Sequence, residues 1–151
     1  MSSGSSSAKA RRTAARLAAV QALYQLELGD NPTGKQAVYD LMQMRQDDIP
    51  EKLVEPDSAL LQAIVDGVGE RLADIDSLLQ GAIGEGRGLE RTEAVLRAIL
   101  RAGVFELLAD SATASGIIVN DYVNVAHAYF DAAEPGKVNA VLDKVAKNIG
   151  R

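Results

Sequence analysis

Cysteine is absent and histidine occurs once, at His127. Without thiols there is no disulfide scaffold, no thiolate metal site and no cysteine nucleophile, and one imidazole leaves a histidine metal cluster without partners. Tryptophan is missing too, and aromatic residues make up only 4% of the 151 positions, so few rings are on offer for stacking on a ligand. No apolar run approaches the roughly 18 residues that span a bilayer. The polar opening, Met-Ser-Ser-Gly-Ser-Ser-Ser, lacks the hydrophobic stretch of a secretory signal. Period-two alternation is also lacking: Ile117, Ile118 and Val119 could read as a strand, but no second strand-like run exists for them to pair with. These absences leave an all-α protein of the cytoplasm. Apolar residues at 47% and charged residues at 25% are ordinary for a globular chain of one compact domain or two small fused ones.

Charge is unevenly spread. The net charge of −5 argues against a general nucleic-acid coat. Yet residues 1–26 carry Lys9, Arg11, Arg12 and Arg16 and no acid, and residues 135–151 hold Lys137, Lys144, Lys147 and Arg151 against Asp143 alone. The acidic excess lies between. Basic ends around an acidic middle suit a chain that touches a polyanion with its termini.

Residues 1–8 are too polar and flexible to bury anything and read as a disordered leader outside the fold. From Lys9, good helix formers with Leu17, Val20, Tyr24 and Leu28 at helical spacing predict a first helix, stopped by Gly29, Asp30, Asn31 and Pro32. A weaker pattern, Ala37, Val38, Leu41 and Met42, gives a second helix that fades into a loop over Gln46–Asp57, where Pro50 and Pro56 intervene. Ser58 is the expected cap of a long third helix carrying Leu61, Ile64, Val65, Val68, Leu72, Ile75 and Leu79. Gly81, Gly84, Gly86 and Gly88 end it. A fourth helix, opened by Thr92 and Glu93, spreads apolar residues over more than one face from Val95 to Leu108, which makes it the buried spine. A fifth sets two apolar rows opposite a wet row of Asn120, Asn124, His127 and Asp131. A last helix starts near Pro135 and buries Val138, Leu142 and Val145. The expected subdomains are residues 9–82 and 83–151.

Catalytic chemistry finds little support. The glycine cluster lacks the preceding strand of a phosphate-cradling loop. The pairs Asp47, Asp48 and Asp74, Asp76 lie in polar stretches and read as solvated charges. His127 has no nucleophile placed beside it. Binding chemistry fares better. Lys9, Arg12 and Arg16, spaced three and four apart, project within about 60° of one another and make one basic face. Because the apolar row begins at Leu17, their side chains are expected to be free to reach phosphates. Lys137, Lys144, Lys147 and Arg151 share a side of the last helix, and Tyr24 follows the first basic face at the border of core and solvent.

Three stretches resemble one family. Arg11–Tyr24 ends in Ala-Val-Gln-Ala-Leu-Tyr; Leu100–Leu107 carries Leu-Arg before an aromatic-Glu-Leu turn; and Val138-Asn139-Ala140-Val141-Leu142-Asp143-Lys144 closes the chain. In this order they are similar to the bacterial transcription antitermination factor NusB family. The resemblance implies two small helical subdomains and no enzymatic activity or cofactor. It implies binding of single-stranded boxA RNA from ribosomal-operon leaders, together with the small-subunit ribosomal protein NusE, within an antitermination complex with RNA polymerase. Its RNA contacts fall on Arg11, Arg12, Arg16, Tyr24, Lys137 and Asn139, with Lys9 and Lys144 added from the charge pattern. Glu93 and Arg97, at helix-pair spacing, are the candidate partner-binding residues, expected exposed. Arg101, Glu106 and Asn120 also match and are expected to form a structural polar network. Two departures stand out: Lys137 occupies a position often aromatic, and Thr13 one often basic, which lowers the expected salt sensitivity of RNA binding. A homodimer of the free protein, the RNA-binding domain of an rRNA cytosine methyltransferase, and a helical adaptor without RNA stay open as alternatives. The missing methyl-donor loop and cysteine speak against the methyltransferase.

Overall fold

The computed structural model describes residues 3–29, 33–48, 54–84, 88–131 and 133–151. The chain is helical: α1 (Ser3–Glu27), α2 (Gly34–Asp48), α3 (Ser58–Glu70), α4 (Leu72–Ile83), a 3₁₀ turn (Leu89–Arg91), α5 (Ala94–Ala109), α6 (Ser115–Tyr129) and α7 (Ala133–Asn148). It divides into two compact units, Met1–Asp66 and Gly67–Arg151, with the division inside α3.

In the first unit α1 packs on α2. The contact face of α1 is built of small residues, Ala15, Ala18, Ala19 and Ala22, with Val20 and Leu23, all buried; small side chains let two helix axes come close. Ala37, Val38 and Leu41 are the buried row of α2. Thr33 caps α2, its hydroxyl accepting the Gln36 amide at 3.0 Å, in a Thr-x-x-Gln spacing. The segment before α3 lies along α1, since the Asp57 amide donates to the Arg11 carbonyl at 3.0 Å. α1 starts at Ser3, ahead of Lys9 and inside the stretch expected as a leader; once nucleated, a helix extends outward at little cost.

The second unit is organised round α5, which packs against α4, α6 and α7. Leu96, Ile99, Leu100, Val104 and Leu107 are buried on it, as the spread of apolar positions over two faces predicts. At Gly103 the backbone of α5 runs so close to α7 that an added Cβ would stand 2.6 Å from Leu142 Cδ1. Buried stripes on α6 (Ile118, Val119, Tyr122, Val125, Ala126) and α7 (Val138, Leu142, Val145, Ala146) complete the core. Pro135 sits in the first turn of α7, where its missing N–H is not needed.

Local punctuation differs from expectation in two places. The long third helix is two helices, because Arg71 leaves helical geometry at φ −113°, ψ 21°. Asp57, not Ser58, caps α3, accepting the Leu60 amide at 3.1 Å. Of Thr92 and Glu93, which were expected to open α5 together, Glu93 is the cap. The boundary between units also precedes residue 82, because α4 packs on α5, α7 and the 3₁₀ turn. Gly84 supplies the left-handed exit from α4 (φ 90°) that residues with a Cβ resist.

Candidate nucleic-acid and partner surfaces

Lys9, Arg11 and Arg12 are exposed on the opening turns of α1. Arg11 is drawn toward the neighbouring segment, its Nε donating to the Glu55 carbonyl at 3.4 Å. Thr13, which stands where a third base was looked for, turns its hydroxyl to the Lys9 carbonyl at 3.2 Å. Arg16 does not join this exposed group. It is only 8% exposed and engaged by its surroundings. The reason lies in the helix period: Arg16 precedes Val20 by four residues and Leu23 by seven, so it shares their buried face. The face that is basic at Lys9 and Arg12 becomes core one turn later. Tyr24 is half-buried, at the border where its hydroxyl was expected.

The other expected RNA contacts belong to the second unit. Lys137, Asn139 and Lys144 are all exposed on α7. Lys137 and Lys144, seven apart, fall within about 20° of each other around the helix, whereas Asn139 lies roughly 160° from Lys137, on the other shoulder of the buried stripe. Lys147 pairs with Asp143 at 3.2 Å on the surface. Arg151 is not a free cation. Its guanidinium donates to the Leu107 carbonyl at 2.7 Å and to the Thr113 carbonyl. Gly150, at φ 86°, makes the turn that aims it there. The same linker holds Asp110, whose carboxylate accepts the Ala112 and Thr113 amides at 3.0 Å. Its proton affinity falls below the ordinary value, chiefly through the Thr113 side-chain and backbone hydrogen bonds, with Arg151 assisting.

Glu93 and Arg97 do not form the surface pair expected of them. The Glu93 carboxylate is spent on the helix start, accepting the Val95 amide at 3.2 Å and the Leu96 amide at 3.4 Å. Arg97 is half-buried, and its Nη1 gathers the Thr92, Leu89 and Glu90 carbonyls at 2.6, 3.2 and 3.4 Å. Glu93 remains exposed. The anticipated polar network exists in part. Arg101 grips Asp76 with two hydrogen bonds of 2.8 and 2.9 Å, so Asp76 is not merely a solvated charge. Glu106 is buried and accepts a hydrogen bond from the hydroxyl of the fully buried Tyr122. Asn120 takes no place in it; it is exposed on the wet face of α6 with Asn124 and His127.

The second unit also holds a cleft of about 500 Å³ that the sequence does not announce. Its lining is mainly apolar, from Leu96 and Leu100 on α5 and Ala140 and Val141 on α7, with Phe130 at the end of α6. Charged side chains contribute too: Arg91 and Glu93 beside the 3₁₀ turn, Glu134 and Lys137 from the start of α7. Gln80 braces the nearby α4 exit, its side chain accepting the Leu89 amide at 3.0 Å. Lys137 is thus the one expected RNA contact that also lines this cleft. The sequence signal available was an aromatic residue, Phe130, closing one helix just before the chain turns into the next.

The transcription antitermination protein NusB of Allorhizobium ampelinum is 42% identical over 142 residues, covering 92% of this chain and 88% of its own length. That of Rhodospirillum rubrum is 37% identical over 155 residues, covering 91% and 84%. Among solved structures, T. maritima NusB superposes with a TM-score of 0.75 at 25% identity, covering 90% of each chain. A fold match at 24% identity and TM-score 0.75, covering 91% of this chain and 97% of that one, comes from a crystal structure of antitermination factors NusB and NusE in complex with dsRNA. The NusB family profile itself matches residues 13–147, and the chain belongs to the NusB family.

Proposed function

We propose that this protein acts as an antitermination factor that binds boxA RNA of ribosomal-operon leaders jointly with NusE, in the cytoplasm, within the RNA polymerase antitermination complex, and so promotes processive rRNA transcription. Family membership supports the class of function. The observation that carries the RNA assignment is the exposure of Lys9, Arg11 and Arg12 on α1, within the first 26 residues of the chain, which hold no acid although the net charge is −5. A concentrated cationic strip on an acidic protein has one physical use above others, the release of counterions from a polyanion. Lys137 and Lys144 of the second unit are assigned RNA contacts as well, and Tyr24 offers a ring for a base. Asn139, on the far shoulder of α7, and Arg16, buried, are assigned supporting roles. The partner surface is proposed around the exposed start of α5, at Glu93, with Arg97 holding that start in shape.

The test is an electrophoretic shift of single-stranded boxA RNA at low salt by this protein with NusE. A shifted ternary complex is expected, with a weaker shift by either protein alone and a weaker one for a boxA duplex. Folded proteins that leave the RNA unshifted would remove the assignment.

A further inference from the structure

We propose that Glu55 is an electrostatic brake on the cationic strip of α1, a fixed carboxylate that opposes RNA phosphates at Arg11. The step rests on the RNA-binding reading above. The first 26 residues hold no acid, so it is the fold that brings one to the strip. Residues 54–57 lie as a strap along the opening turns of α1 and are tied to a single residue there. The Arg11 carbonyl accepts the Asp57 amide at 3.0 Å, and the Arg11 Nε donates to the Glu55 carbonyl at 3.4 Å. The two residues that follow Glu55 fix the strap, since Pro56 is buried and Asp57 caps α3. Glu55 itself is exposed, and its carboxylate forms no hydrogen bond or ion pair among the described residues. The backbone contact keeps that carboxylate within about one Debye length, ~10 Å at 0.1 M salt, of the Arg11 guanidinium. A phosphate arriving at Arg11 therefore meets an unneutralised negative charge as well as the cation. Repulsive elements of this kind set which ligands a surface refuses. Binding to RNA without base contacts is essentially all electrostatic, so a fixed repulsion takes the larger share of it.

The test titrates the full protein with NusE against boxA RNA and against a scrambled RNA of the same length. Glu55→Gln removes the charge and keeps the backbone carbonyl that Arg11 uses. It is expected to bind both RNAs about two- to fivefold tighter at about 50 mM salt, the range of an exposed charge pair. The gain should narrow toward about 200 mM, giving the variant the steeper salt dependence, the reverse of what losing a cation does. In an Arg11→Gln background the gain should shrink, because no phosphate is then held beside the carboxylate. Asp66, exposed in the same unit, stands roughly 14 Å further along α3 from Asp57 by the helical rise, so Asp66→Asn makes the same change in net charge and should leave binding as it was. Unchanged low-salt affinity in Glu55→Gln overturns the brake while leaving RNA binding intact. So does an equal gain in Asp66→Asn, which would make net charge the cause, a gain confined to boxA, which would set Glu55 against a base, or a gain undiminished without Arg11. If the wild-type pair binds no RNA, the underlying RNA assignment falls as well.

Discussion

Four residues separate Arg12 from Arg16 on α1, and that single turn divides a cation open to solvent from one that is 8% exposed. The two substitutions should therefore fail in different ways. Arg12→Ala is expected to weaken RNA binding and flatten its salt dependence with no change in the urea midpoint. Arg16→Ala is expected to lower folding stability by roughly 1–3 kcal/mol, the usual loss when a buried hydrogen-bonding group is truncated, and to shift that midpoint. Equal urea midpoints for the two variants would refute the assignment. The buried pair of Glu106 and Tyr122 belongs to the same scale. Tyr122→Phe keeps the ring but leaves a buried carboxylate short of a donor, with an expected loss of roughly 1–3 kcal/mol, whereas Tyr129→Phe at the exposed end of α6 should be neutral.

At the scale of the element, the close approach of α5 and α7 leaves no room for a methyl group at Gly103. Leu142 is fully buried and has nowhere to move, so Gly103→Ala is expected to destabilise by about 1–3 kcal/mol despite the better helix propensity of alanine. Thermal melts would read the loss, and a stabilised variant would contradict the packing. The α5–α6 linker makes a prediction of opposite kind. Asp110 binds protons less readily when folded than its ordinary value of 3.8 implies. A depressed pKa contributes stability that is present above the unfolded value and is lost as the pH falls through the folded one. The advantage of the wild type over Asp110→Asn should therefore hold at neutral pH and close below about pH 3.8. The same elements show what could be read from the sequence. Leu96, Ile99, Leu100, Val104 and Leu107 spell a two-faced helix in any linear reading, because burial leaves a periodic trace. The break at Arg71 leaves none, since both sides of it continue the same apolar pattern. The cap of α3 falls one residue before Ser58, at Asp57, because two capping side chains adjoin there and only geometry decides between them. The burial of Arg16 is written in the same period, since Val20 and Leu23 follow it by four and seven residues on the row that becomes core. The cleft was not legible at all, being made by residues from Ala82 to Val141 that meet only in three dimensions.

For the whole molecule, charge is divided between the two units: Lys9, Arg11 and Arg12 in the first, Arg91, Lys137 and Lys144 in the second, all exposed. Whether one RNA uses both sets is a question that salt answers. Each phosphate neutralised on a single strand adds about 0.7 to the slope of log affinity against log salt, independently of base sequence. Neutralising two cations in the first unit, as Arg11→Gln with Arg12→Gln, should thus make the slope shallower by about 1.4, and Lys137→Gln with Lys144→Gln should do the same. The four substitutions together should add, because sites without shared partners are independent. A strand held by both units gives this additive result in the complex with NusE. A strand held by one unit leaves the slope unmoved when the other pair is neutralised, and that outcome would confine the RNA to a single unit and strip the remaining cations of their assigned role.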